Sequence, residues 1–141
     1  MMRVLRTAVH AGVLAALALS GSLAPLYGQT YPSRIIKLIV PFGPGGPTDV
    51  SARLVAQVVQ DSLGQSVIIE NRPGAGGATG SKSVANSEPD GYTLLIGTSA
   101  TLCVVPALMK NPGYDPIKSF VPVAKILDST LVMIVPANFP A

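Results

Sequence analysis

Two glycine-rich segments carry the chemistry open to this chain. The first reads Pro41-Phe42-Gly43-Pro44-Gly45-Gly46-Pro47-Thr48-Asp49, and the second Asn71-Arg72-Pro73-Gly74-Ala75-Gly76-Gly77-Ala78-Thr79-Gly80. Glycine lets a backbone N–H approach a ligand with no Cβ in the way. Each segment ends an apolar run and opens a helical pattern, and a helix start adds unpaired N–H groups and the positive end of a dipole. Such loops suit an anion held by backbone amides. Either loop alone is equally well a tight turn with no ligand. Two of them in the same structural context favour a binding role.

Other chemistries lack their residues. Arg3 and Arg6 precede a short apolar stretch, Ala11–Leu19, and a small-residue region runs to Gly28. This is the three-part pattern of a secretory signal peptide, with an apolar centre too short to span a membrane. Cleavage is expected after Gly28, with Leu26 in the place usually held by a small residue. The absence of an Arg-Arg pair points to the general secretory route. Of the 141 residues, 113 then remain, and the net charge of +3 falls to +1 as Arg3 and Arg6 leave. A near-neutral chain without tryptophan is a poor nucleic-acid binder.

The segment also takes away His10, the single histidine. Without it no Ser-His-Asp or Cys-His mechanism can be assembled, and no metal site is expected. Cys103 is the single cysteine, so no internal disulfide forms, and its neighbours Leu102, Val104 and Val105 predict a buried, unreactive thiol.

The nucleotide motifs fail on inspection. Gly43-Pro44-Gly45 starts a dinucleotide fingerprint, but Thr48 stands where its third glycine belongs. Gly80-Ser81-Lys82-Ser83 resembles the end of a phosphate loop, but Ser81 separates glycine from lysine. No cofactor is expected. Asp49 is read as a helix cap that ties the first loop to its helix, in preference to an acid or base. Arg72 is either a bidentate carboxylate clamp or a brace for its own loop.

The elements that must position these loops are legible from periodicity. Ile35–Val40 is a β-branched run, and Ser66–Glu70 and Tyr92–Gly97 read as second and third strands. Val50, Leu54, Val55, Val58, Val59 and Leu63 recur at helical spacing up to a stop at Gly64. A weaker helix runs from about Ala78 to Ser87, and a short one within Thr98–Met109 is expected to start after Pro106 or be broken by it. Val121–Pro136 is expected to add one or two strands, Leu131–Val135 the clearest. Alternating strands and helices predict an α/β fold with right-handed crossovers and a mostly parallel sheet. Ligands of such sheets bind beyond the carboxyl ends of the strands. Pro41–Asp49, Asn71–Gly80 and Gly97–Thr101 therefore gather at one edge.

The same residues carry a family resemblance. Tyr31-Pro32-Ser33-Arg34, Lys37–Phe42, Pro44–Asp49, Glu70–Gly77, Asp90–Leu94 and Tyr114-Asp115-Pro116 resemble, in order, the extracytoplasmic receptors of tripartite tricarboxylate transporters, the Bug receptors. The resemblance spans nearly all of residues 29–141. It implies part of the first lobe of a type II periplasmic-binding-protein fold, with an incomplete, mostly parallel sheet and the second lobe absent. It implies capture of small carboxylates for a membrane permease, with no enzymatic activity. Its ligand contacts carry over to Phe42, Pro44, Gly45, Gly46, Thr48 and Asp49, to Gly74, Ala75, Gly76 and Gly77, and to Thr98, Ser99 and Ala100. The chain departs from the family pattern at Ser99-Ala100-Thr101, at Ile35 and at Ser119. Full-length receptors of this kind are expected to be monomers of about twice this size or more.

Two other readings compete. One is an exported hydrolase or transferase using the glycine loops as an oxyanion site, with Lys82 paired to Ser81 or Ser83. The other is a non-functional fragment that serves only as an interaction module.

Overall fold

The computed structural model describes residues 30–130 and 132–138. The expected signal peptide, residues 1–28, and Leu131 of the expected last strand lie outside them. Strand β1 (Ile36–Val40) is central in a parallel sheet of order β2-β1-β3, with β2 at Val67–Asn71 and β3 at Thr93–Leu95. The register pairs Leu38 with Ile69 on one side and with Leu94 on the other. Strand β3 is shorter than its sequence suggests. Pairing nevertheless continues past both its ends, where the Lys37 N–H donates to the Tyr92 carbonyl and the Ile96 N–H to the Ile39 carbonyl.

Ile36, Ile39 and Val40 are almost fully buried, as a central strand covered on both faces requires. Each contributes roughly 1.5–3 kcal/mol by leaving water. Leu38 and Val40 pack with Ala52, Ala56 and Ile96 on one face, flanked by Val67, Ile69 and Leu94. Helix α1 (Pro47–Leu63) supplies the two alanines, so it covers this face. Helix α2 (Ala78–Ala85) approaches Pro41 through Gly80, on the opposite face, where alternation places Ile39.

Helix α1 starts three residues before the expected Val50, because Pro47 fits the first helical turn. It stops as expected at Gly64, whose φ of 64° makes the left-handed cap. The face it buries is not the one its apolar spacing suggested. Asp49, Ala52 and Ala56 point inward, while Leu54 and Val58 are 64% and 66% exposed. Alanines bring helix and sheet close together, and the valine–leucine stripe is then turned to the side.

Three further expectations are corrected. A wide, π-type turn (Ala100–Val104) runs directly into helix α3 (Val105–Leu108), so helical structure begins before Pro106. Proline is accommodated because it falls in the first turn of α3, where its missing N–H is not needed. Cys103 is exposed, because Thr101 and Val105, four residues apart, take the inward side of that turn. Finally, residues 121–130 and 132–138 form no strand. They pair with neither edge of the sheet, and Val121, Met133 and Ile134 are exposed. An apolar run becomes a strand only when a neighbour takes its hydrogen bonds.

Inside α2, Ser81 is fully buried and its hydroxyl has no partner among the described residues. Alanine there removes an unsatisfied polar group and favours the helix. Ser81→Ala is expected to leave stability unchanged or raise it by up to about 1 kcal/mol, read from the urea midpoint. A loss of that size would reveal a partner for the hydroxyl.

Candidate functional site

The three segments that follow the strands meet at one edge. Gly77 sits so close to its neighbours that a Cβ there would stand 2.5 Å from Thr101 Cγ2 and 3.4 Å from Phe42 Cζ and Pro41 Cβ. The first loop, the second loop and the turn after β3 therefore touch through Pro41/Phe42, Gly77 and Thr101. The chain leaves β1 for β2 on one side and returns to β3 on the other, so these loops flank the point where strand order reverses.

Asp49 organises the first loop. It is buried, and both carboxylate oxygens are occupied. Oδ2 accepts the Gly45 N–H at 2.9 Å and Arg53 Nε at 2.9 Å. Oδ1 accepts Asn71 Nδ2 at 2.8 Å and Arg53 Nη2 at 3.2 Å. Asn71 Nδ2 also donates to the Phe42 carbonyl at 3.1 Å. The expected capping role is thus revised. Gly46 is the N-cap, with no side-chain cap, and Asp49 lies inside the first turn. From there it holds Gly45 on one side and the end of β2 on the other. Hydrogen bonds from Arg53 first, then from the Gly45 amide and Asn71, hold its carboxyl well below the usual carboxylate range. Its carboxylate is ionised and saturated by these four hydrogen bonds.

The second loop is a run of backbone in the left-handed region: Gly74, Ala75, Gly76 and Gly77 have φ of 132°, 49°, 65° and 97°. Ala75 is the lone non-glycine with positive φ among the described residues, a conformation that costs about 1 kcal/mol or more. The Gly77 N–H turns back to the Gly74 carbonyl at 2.9 Å. The N–H groups of Ala75 and Gly76 have no partner among the described residues, and both residues are exposed. In the first loop the Thr48 N–H is unpaired in the same sense, as at any helix start.

The sequence-predicted residues therefore divide. Thr48, Ala75 and Gly76 present unpaired amides, and Gly46 forms the turn into α1. The N–H groups of Gly45 and Gly77 are engaged internally, with Asp49 Oδ2 and the Gly74 carbonyl. Phe42 is half-buried against Gly77, while Pro44 and Gly74 are exposed. Thr98 and Thr101 bond each other reciprocally: the Thr98 N–H donates to Thr101 Oγ1 at 3.0 Å, and the Thr101 N–H to Thr98 Oγ1 at 3.3 Å. Thr98 is thus engaged in shaping its turn. Tyr114 steadies the same turn by donating its hydroxyl to the Thr101 carbonyl. Ser99 is exposed and Ala100 half-buried at the start of the wide turn.

Arg72 braces its own loop. Its guanidinium bonds Glu70 Oε1 at 2.7 and 3.1 Å, and its N–H donates to the Val40 carbonyl. No Ser–Lys pair forms, because Ser83 Oγ donates to the Gly80 carbonyl and Ser81 Oγ has no partner. Arg53, Asn71 and Thr101 are organising residues that the sequence did not single out. The sequence hint for the first was the Asp-x-x-x-Arg spacing, which places opposite charges one helical turn apart.

Residues 51–141 match the family described as "Tripartite tricarboxylate transporter family receptor". Protein BugT of Bordetella pertussis is 48% identical over 119 residues, which cover 84% of this chain and 36% of BugT. Among solved structures, the periplasmic binding protein BugD is 46% identical with a TM-score of 0.61, over 64% of this chain and 30% of BugD. MatC from Rhodopseudomonas palustris, solved with bound malate, is 43% identical with a TM-score of 0.66, over 68% of this chain and 33% of MatC. The chain thus spans about a third of the length of these relatives. Its partly built parallel α/β sheet is that of the periplasmic binding proteins.

Proposed function

Because the chain belongs to the tripartite tricarboxylate transporter receptor family, we propose that it carries the carboxylate-binding face of a periplasmic receptor that captures small carboxylates for a membrane permease. The family is one of solute receptors rather than enzymes. One observation carries the reading: unpaired amides from two loops, at Thr48 and at Ala75–Gly76, lie on one edge of the sheet with no side chain claiming them. A carboxylate is an acceptor at both oxygens and suits such donors. That MatC was solved with malate supports the same ligand class here. Thr48, Ala75 and Gly76 are proposed as donors, with Gly46, Ser99 and Ala100 beside them. Residues 1–28 are proposed as the signal that directs the chain to the periplasm, and 29–141 as part of the receptor's first lobe.

Ala75 and Gly76 are exposed and Thr48 is half-buried, so each amide gains only about 0.5–1.5 kcal/mol over water. Dissociation constants for malate or citrate are expected around the millimolar range. Ligand-observed NMR with the chain tests this, with malate and citrate against an uncharged diamide of malate's length. The carboxylates should show transfer from the protein and the diamide should not. Equal signals from the diamide and the acids would refute the carboxylate reading.

A further inference from the structure

We propose that Arg53 is a charge-compensating, positioning residue of this site, one that keeps the start of α1 open to an anion without touching it. The inference rests on the carboxylate reading above. Its starting point is a conflict in the structure. Asp49 places a full negative charge in the first turn of α1, beside the unpaired Thr48 amide. A carboxylate there satisfies the helix dipole itself and repels an incoming anion.

Arg53 resolves the conflict. Its guanidinium forks both Asp49 oxygens at 2.9 and 3.2 Å, from the next turn of the same helix. The Arg53 side chain is 55% exposed, whereas that of Asp49 is 3% exposed, so the cation is the solvent-facing member of the pair. The fork has two consequences. It cancels the charge beside the site, and it fixes the carboxylate so that Gly45 and Asn71 hold the loop open. Neither consequence requires contact with the ligand.

Charge and fork separate in two Arg53 variants that leave the Asp49 carboxylate in place. Arg53→Gln leaves the Asp49 charge bare. Arg53→Lys keeps a cation but loses the fork. The chain and its variants are titrated at low and at high salt with malate and, separately, with inorganic sulfate, following the Thr48 and Gly46 amide resonances. Arg53→Gln is expected to weaken both anions by on the order of tenfold at low salt. Arg53→Lys should keep most of the parent affinity, and the loss in Arg53→Gln should shrink at high salt, where charge is screened. A purely structural role for Arg53 predicts instead that Arg53→Lys, which loses the fork, is as weak as Arg53→Gln at either salt concentration.

Unchanged affinity in Arg53→Gln, or Arg53→Lys as weak as Arg53→Gln, overturns the proposal and leaves the carboxylate reading intact. Sulfate binding without malate binding sinks the carboxylate reading, and the role of Arg53 is then decided on the sulfate data. A parent chain whose amides respond to neither anion overturns both.

Discussion

Replacing Gly80 with alanine is expected to lower the stability of the fold by about 2–3 kcal/mol. The sign is the opposite of what a helix position normally gives, since alanine is the better helix former by about 1 kcal/mol. Space decides the matter. A Cβ on Gly80 would lie 2.9 Å from the Arg72 carbonyl oxygen and from Cα and Cβ of Pro41. These are backbone and ring atoms of the two strand ends, and none can rotate away. Helix α2 must move off the sheet, and it takes the second glycine loop with it. Gly43→Ala is the control, because a Cβ there meets nothing within 4 Å. Its effect should stay within about 0.5 kcal/mol. Urea midpoints at constant m-value compare the two. Equal midpoints would mean that α2 is not seated against Pro41 as described.

Asp49→Asn is expected to lower Tm at pH 7 by roughly 5–10 °C. An amide cannot replace this carboxylate, because Gly45, Asn71 and both Arg53 contacts are all donors. Either orientation of the new side chain points an N–H at another N–H. The loss should depend on pH in one direction. Folding depresses the Asp49 pKa, with Arg53 the largest cause. A depressed carboxyl stabilises the fold fully above its unfolded pKa, near 4, and the benefit fades as pH falls from there toward the folded value. The Tm gap between parent and Asp49→Asn should therefore be constant from about pH 5 to 7 and narrow below about pH 4. Asp115 is also held low, by the Ile117 and Lys118 amides, but it acts equally in both proteins. A gap that persists unchanged to pH 2 would show that the charge on Asp49 is not what matters.

These two residues also mark how far the sequence could be read. The apolar runs ending at Val40 and Glu70 and the Gly64 stop placed the elements to within about a residue, because strand and helix periods are local signals. The gathering of the three loops followed from strand order alone. Helix orientation did not follow from the sequence. Val50, Leu54 and Val58 make an apolar stripe as regular as any buried one, and only the close approach of Ala52 and Ala56 to the sheet turns it outward. The role of Asp49 was half legible. Its link to the loop is local, but Asn71, its third partner, is 22 residues away. The spent amides of Gly45 and Gly77 were hidden for the same reason, since composition shows a glycine but not where its N–H points. Cys103 and the tail beyond Phe120 misled because apolar neighbours were taken for burial, which only packing partners supply.

The segments after β1, β2 and β3 are proposed to form one carboxylate-binding face. A single amide-resolved NMR titration of the chain with malate tests it most directly. Thr48 and Gly46 from the first loop, Ala75 and Gly76 from the second, and Ser99 and Ala100 from the third should shift together. One dissociation constant should fit them all, and Gly43 and the α1 residues near Leu63 should stay still. Shifts confined to one loop, or loops that follow different constants, would contradict a shared site.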